Sequence, residues 1–395
     1  MAGKKKKIRT SFRKNRNVRT RQSDLTRDYQ AGDESHLDAD LTERISGKGA
    51  LSRKRTVVAE EVEDDAGTMI LPEIDESACA CGRVLSVRGL ISDVATDAGD
   101  VYRCATRRLL KTLATDQRHV VAAGDRVWFR PEGDDEGIIE RVEPRRGVLS
   151  RTSRGRQHIL VTNVDQLLIV ASAAEPYLKP HLIDRYLVTA EKNRLRPIIC
   201  INKVDLCETA DLQPLIGVYA QLGYRVILSS TVTGQGIELI RDALREHETV
   251  ISGQSGVGKS SLVNTVDPQL DLRVQRVSSE TQKGKHTTTT ARLIPLTEGG
   301  WVVDTPGIRQ FQLWDVIPEE IAGFFRDLRP FVSRCRFADC THTHETDCAV
   351  LDAVADGWID ERRYESYLQM FQGDDAGRPV REVEFDAEFD ADLEP

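Results

Sequence analysis

Thr249-Val250-Ile251-Ser252-Gly253-Gln254-Ser255-Gly256-Val257-Gly258-Lys259-Ser260-Ser261-Leu262-Val263-Asn264 is the stretch whose reading decides the fold. A short β-prone run leads into Gly-x-x-x-x-Gly-Lys-Ser, and helix-compatible residues follow, which is the strand, loop and helix order of a phosphate loop. Glycines let consecutive backbone N–H groups curl around phosphates, and the helix N-terminus adds its positive dipole end. The whole loop from Gly253 to Ser261 is therefore a candidate nucleotide contact, with Lys259 reaching the β and γ phosphates and Ser260 ligating Mg²⁺.

Working outward, Asp304-Thr305-Pro306-Gly307 follows the strand-like Trp301-Val302-Val303. Asp304 then stands at a strand's C-terminal end, able to hold Mg²⁺ through water, with the Gly307 N–H facing the γ-phosphate. Between the two lies Gly284-Lys285-His286-Thr287-Thr288-Thr289-Thr290, where a switch segment belongs. A threonine hydroxyl, assigned here to Thr288, completes the Mg²⁺ shell while the γ-phosphate is present. After Gly307, where Ras carries its water-orienting Gln, stands the apolar Ile308, so another group must place the attacking water. His286 is the catalytic candidate, because it is the polar group of that segment that exchanges a proton near neutral pH.

Upstream, Asn202-Lys203-Val204-Asp205 follows an apolar strand. The Asp205 carboxylate can accept from both N1–H and N2–H₂ of guanine, whereas adenine would leave it desolvated and unpaired. Lys203 would lie along the base and Asn202 would brace the loops. Ser229-Ser230 fits the supporting motif that contacts guanine O6. These residues favour GTP and oppose a P-loop ATPase or kinase. The base-reading motif precedes the phosphate loop, the reverse of the order in a Ras-like GTPase, so the domain is circularly permuted.

The rest of the chain sets the frame. Segments near 166–171, 183–193, 197–201, 212–222, 225–229 and 237–247 alternate strand and helix, predicting a parallel sheet covered on both faces. From about Cys81, short alternating runs separated by turn signals predict an OB-like β-barrel of about five strands. Beyond Pro318 the pattern is helical around Cys335-x₄-Cys340-x-His342-x₅-Cys348, a Cys₃His set suited to one structural zinc, with His344 as the competing nitrogen ligand. The other five of the eight cysteines are scattered, which favours reduced thiols over a disulfide framework.

The expected architecture is multidomain: a flexible basic arm over 1–77, an OB-fold barrel over 78–150, and a circularly permuted α/β P-loop GTPase domain over 151–317. A small helical zinc-binding domain over 318–372 and an acidic tail over 373–395 complete it. The net charge of -8 conceals eleven Lys and Arg against two Asp in residues 1–30, and nine Asp and Glu against two Arg from Gly373 onward. Such blocks read as solvated tails, the basic one able to order on RNA. No apolar run approaches the roughly 20 residues of a membrane helix, so a cytoplasmic location is expected.

In this order and setting, the motifs resemble the ribosome small-subunit-dependent GTPase A family, also called RsgA or YjeQ, over about Cys81 to Phe371. Asn163-Val164-Asp165-Gln166 is a further family-like stretch. The resemblance implies a GTP hydrolase acting late in maturation of the small ribosomal subunit, stimulated by the subunit and released by hydrolysis; a monomer is expected. It also implies rRNA contacts from the barrel and zinc domain, and a catalytic role for His286. The long arm and acidic tail depart from the family and inherit no role. Gly256 stands where potassium-dependent GTPases carry Asn, so potassium activation is not expected. The alternative is a GTP-gated RNA-binding scaffold with incidental hydrolysis, favoured by Ile308 and opposed by His286. Replacing His286 with Ala should preserve GTP affinity while stimulated turnover collapses; unchanged turnover would remove His286 from catalysis.

Overall fold

The computed structural model describes residues 6–11, 54–65, 67–107, 109–110, 120–153, 156–270, 291–304 and 316–373. The chain divides into two units, Met1–Val316 and Ile317–Pro395.

In the first unit, β1 (Lys6–Ser11), β2 (Lys54–Asp64) and β3 (Gly67–Pro72) form an antiparallel sheet. These strands fall within the 1–77 stretch expected as a flexible basic and polar arm, where the sequence shows no sustained periodicity. Thr56-Val57-Val58-Ala59 and Met69-Ile70-Leu71 are β-prone in residue type, but each run is short, and in β2 Glu60, Glu61, Glu63 and Asp64 obscure the alternation.

Next come β4 (Ala80–Arg88), β5 (Ile91–Ala95), β6 (Val101–Thr106), β7 (Arg126–Glu132) and β8 (Glu136–Val142). Their order β4-β5-β6-β8-β7 closes through β7–β4 pairing, with β6 and β8 parallel and the other pairs antiparallel. This is the expected five-stranded barrel. Its interior holds Val84, Val94, Cys104, Val127, Phe129, Ile139 and Val142. Gly82 lets strands approach there, since a Cβ would lie 2.5 Å from Val94 Cγ1 and 2.9 Å from the Ala95 carbonyl oxygen.

A buried ion pair ties the barrel's loops together. Arg145, just after β8, donates from Nε to Asp125 Oδ1 at 2.8 Å and from Nη2 to Oδ2 at 2.9 Å. Asp125, just before β7, also accepts from the Ala122 amide at 2.8 Å and the Thr162 hydroxyl at 2.7 Å. Both charged side chains are fully buried, so their mutual satisfaction is obligatory.

After β9 (Leu149–Ser153) and β10 (Arg156–Val161), a two-stranded antiparallel ribbon, the chain enters the expected α/β domain. Strand β11 (Gln166–Ser172) leads to α1 (Pro180–Lys192), β12 (Arg196–Asn202), α2 (Gln213–Gln221) and β13 (Arg225–Ser229). Helix α3 (Ile237–Leu244), β14 (Glu248–Ser252), α4 (Lys259–Val266), β15 (Arg292–Pro295) and β16 (Trp301–Asp304) follow. The sheet order is β13-β12-β11-β14-β16-β15, parallel except for β15, and β15 touches barrel strand β4 through the pair Arg292 and Ser86.

Strand side chains alternate faces, so β11 feeds two cores. Leu167 and Ile169 pack with Ile183, Leu187 and Tyr219 from α1 and α2; Leu168 and Val170 pack with Ile240, Leu244, Leu262 and Val266 from α3 and α4. Burial on both faces explains why these strands read as continuous apolar runs.

The second unit contains α5 (Ile321–Phe324), α6 (Arg329–Val332), α7 (Ala349–Ala355) and α8 (Glu361–Gln372). Asp360 caps α8 by accepting from the Arg363 amide at 3.2 Å. Arg363 makes a two-pronged pair with Asp327 at 2.9 Å for each bond and lies 4.5 Å from the Phe325 ring centroid.

Replacing Asp125 with Ala would leave the Arg145 guanidinium buried beside no carboxylate. We expect a loss of about 3–5 kcal/mol, read as a lowered urea midpoint, and an unmoved midpoint would contradict this account of the barrel.

Candidate functional site

The order β13-β12-β11-β14-β16 is what positions the site. The chain runs outward from β11 through β12 to β13, then returns to lay β14 on the other side of β11. Loops at the C-terminal ends of β11 and β14 diverge at that reversal, opening the crevice in which open α/β sheets bind ligands. The phosphate loop leaves β14 there, the base-reading motif leaves β12, and Ser229-Ser230 leaves β13.

Side chains then lock these loops to one another. Asn202, almost fully buried, donates from Nδ2 to the Val257 carbonyl at 2.9 Å, and its Oδ1 accepts from the Ser229 hydroxyl at 3.1 Å. Gly258 has φ +93°, and a Cβ there would sit 2.6 Å from Asn202 Nδ2, so only glycine lets the brace pass. Lys259, the first residue of α4, donates from Nζ to the carbonyls of Gly253 and Gln254, each at 2.7 Å. Ser255 is exposed, while Gln254, Gly256, Ser260 and Ser261 are half-buried.

On the base side, Lys203 adopts a left-handed conformation with φ 63°, and its ammonium donates to the Glu175 carbonyl. Asp205 is exposed and accepts at Oδ1 from the Ser230 hydroxyl. Ser230 in turn accepts from the amides of Val232 and Thr233, each at 3.1 Å, which fixes its hydroxyl toward Asp205. The structure thus gathers Asn202, Lys203, Asp205, Ser229, Ser230 and the residues from Gly253 to Ser261 at one edge of the sheet. Asp304 ends β16, the strand beside β14. His286, Thr288 and Gly307 lie outside the described residues, as do residues 374–395 of the acidic tail.

A second cluster lies in the other unit. One ligand atom each from Cys335, Cys340, His342 and Cys348 fall within 4.8 Å of one another. Cys335 Sγ is 3.8 Å from Cys348 Sγ and 3.4 Å from His342 Nδ1, and Cys348 Sγ is 3.5 Å from the same nitrogen. A tetrahedron with Zn–S and Zn–N bonds of ordinary length has edges of about 3.8 Å and 3.6 Å, so the donor set fits that ion. Burial pushes the His342 imidazole below its ordinary pKa, favouring the neutral form a ligand needs. The loop is braced by Glu345, which accepts from the amides of Thr341 at 2.6 Å and Thr343 at 3.0 Å. Burial opposes ionisation of Glu345, but these bonds and the Thr341 hydroxyl outweigh it and hold the carboxyl well below its usual range. His344 is exposed and bonds the Thr343 hydroxyl at 2.8 Å, outside the cluster. By contrast, burial pushes the Cys104 and Cys200 thiols up to about 12, as inert core groups.

Sequence reasoning missed the Glu175 carbonyl as the partner of Lys203, and no motif marks it. Among the described residues, no helix is long and apolar enough to cross a membrane.

These features define a circularly permuted P-loop GTPase preceded by an OB-like barrel and followed by a Cys₃His unit. The chain belongs to the RsgA GTPase family, whose model matches residues 142–314. It is 41% identical over 297 residues to "Small ribosomal subunit biogenesis GTPase RsgA" of Sodalis glossinidius, covering 73% of this chain and 84% of that one. The crystal structure of YjeQ from Thermotoga maritima matches with TM-score 0.63 and 35% identity, over 76% of this chain and 100% of that one. YloQ, described as a circularly permuted GTPase, matches with TM-score 0.59 and 30% identity over 76% of this chain and 96% of that one.

If the Cys₃His set holds zinc, Cys340→Ser should release most of the metal from purified protein, measured by elemental analysis. Full retention would exclude Cys340 as a ligand.

Proposed function

We propose that this protein hydrolyses GTP during late maturation of the small ribosomal subunit, binding the subunit in its GTP state and leaving after subunit-stimulated hydrolysis. The observation that carries this reading is the Asn202 brace, which joins a guanine-selective carboxylate to a phosphate loop within a chain of the RsgA family. The name of the Sodalis glossinidius relative, a small ribosomal subunit biogenesis GTPase, supplies the partner.

In this reading Asp205 accepts from the guanine edge, with Ser230 holding the carboxylate, and Lys203 lies along the base while Asn202 braces the loops. The amides of Gly253 to Ser261, with Lys259, take the phosphates, and Gly307 faces the γ-phosphate. Ser260, Thr288 and Asp304 would hold Mg²⁺, which supplies charge neutralisation to the phosphates. His286 places or deprotonates the attacking water. Cys335, Cys340, His342 and Cys348 would hold a zinc ion whose part is structural. The barrel and the Cys₃His unit contact rRNA, and the protein works as a cytoplasmic monomer. The acidic tail and basic arm have no assigned part.

Measuring GTP turnover with purified small subunits, large subunits and neither tests the proposal. Small subunits alone should raise turnover by about tenfold or more, equivalent to at least about 1.4 kcal/mol off the barrier. Equal rates in all three mixtures would favour a scaffold whose hydrolysis is incidental.

A further inference from the structure

Asn163-Val164-Asp165-Gln166 enters the sequence reading only as a family-like stretch, and the structure shows what it joins. On the barrel side, Asn163 Nδ2 donates to the Gly124 carbonyl at 2.9 Å, and Asn163 Oδ1 accepts from the Arg146 amide at 3.0 Å. On the GTPase side, Asp165 accepts from the Glu248 amide at 3.0 Å and lies 2.7 Å from His247 Nδ1. Gln166 donates to the Ala243 carbonyl at 2.7 Å and to the Thr249 hydroxyl at 2.6 Å.

Arg83, on barrel strand β4, completes this joint. Its guanidinium donates to Glu248 Oε1 at 2.6 Å and to the Asn163 carbonyl at 3.1 Å, and lies 5.3 Å from the Trp301 ring centroid. Glu248 and Trp301 are the first residues of β14 and β16 and face one another in register. The far ends of the same two strands deliver the phosphate loop and Asp304. Among the described residues, strand pairing between the barrel and the GTPase sheet is the one pair Arg292 and Ser86, so the Arg83 and Asn163 side chains add contacts that the backbone ladder lacks. Among the described residues, Arg83 Nε is also buried without a hydrogen-bond partner. A largely buried pair with an unmet donor adds little stability, and fixing a geometry is the role it is suited to.

We propose that Arg83 is a positioning residue for stimulated GTP hydrolysis: it fixes the barrel on the two strands that end at the phosphate loop and Asp304. A particle engaged by the barrel thereby acts on the nucleotide pocket. The inference rests on the subunit-stimulated reading above.

The test compares GTP turnover of the full chain with and without small subunits for the wild type, Arg83→Met, Arg83→Lys and the double variant Arg83→Met/Glu248→Leu. In Arg83→Met, unstimulated turnover and GTP affinity should stay within about twofold of wild type while the stimulation ratio falls about tenfold. Arg83→Lys keeps a cation facing Glu248 and should recover part of the stimulation, which a loss through misfolding would not predict. Should Arg83→Met fail to fold, the double variant leaves no buried charge unpaired and carries the same expectation. Stimulation equal to wild type in a folded variant lacking the Arg83–Glu248 pair overturns the inference. Absence of stimulation in the wild type overturns the proposed function instead, and this inference with it.

Discussion

Asn202 Nδ2 and the Val257 carbonyl meet across a sequence separation of 55 residues, and the rest of the pocket depends on that bond. Three loops leave three different strands at the crevice, and among the described residues no backbone hydrogen bond joins these loops to one another once the strands have ended. One buried carboxamide spans them, donating to the phosphate loop and accepting from Ser229, while its own backbone leads into Lys203 and Asp205. Its environment explains neighbouring constraints too. Gly258 lacks a Cβ because Asn202 occupies that space, and Ser229 is buried with its hydroxyl directed back at the carboxamide. An unbraced Asn202 would be a buried polar group without partners, so the brace and the loops stabilise one another.

Such through-space bracing makes circular permutation tolerable. The pocket needs parallel strands in the right spatial order, and the connections between them can run either way around. Here the base-reading strands β12 and β13 come first and the phosphate-loop strand β14 later, yet they flank β11 as the crevice requires. Permutation also decides what precedes the sheet in the chain: the barrel enters through Asn163 to Gln166, at the ends of the strands opposite the nucleotide. Arg83 stands over the first rung of β14 and β16, so a contact remote from the phosphates still falls on the strands that carry them.

Much of this was legible in the sequence because the signals were local. Gly253 to Ser261, Asn202 to Asp205 and the spacing of Cys335, Cys340, His342 and Cys348 each need only a short window. The apolar runs of β11, β12 and β14 declare burial on both faces. What stayed hidden was long-range or masked by charge. The Glu175 carbonyl that receives Lys203 is a backbone atom, and any residue supplies one. Arg83 and Glu248 are 165 positions apart, and as exposed-type residues they give no hint of meeting. Strand β2 was missed because Glu60, Glu61, Glu63 and Asp64 break the polar-apolar alternation that marks a half-buried strand, and β3 because its apolar run, Met69-Ile70-Leu71, is too short to set a period. The choice between His342 and His344 depended on which imidazole turns inward, and the φ of 56° at His342 is a backbone bend that spacing does not encode.

The second unit shows why a Cys₃His set belongs where it does. Helices α5 and α6 have four residues each, far below the length at which a helix sustains itself in water. Their order must come from tertiary contacts, and the Asp327–Arg363 pair and the Phe325–Tyr367 edge contact supply part of it. The ligand loop is separately pinned to α8: Tyr364 donates to the His342 carbonyl at 2.8 Å and Tyr367 to the Thr341 carbonyl at 2.6 Å. Both tyrosines sit on the face of α8 that packs inward, so a metal drawn to the four ligands would stabilise α8 through the same loop. With a metal held there, folding and metal binding in this unit would be one coupled equilibrium, in which loss of one thiolate would weaken the helix packing as well as the ion's coordination.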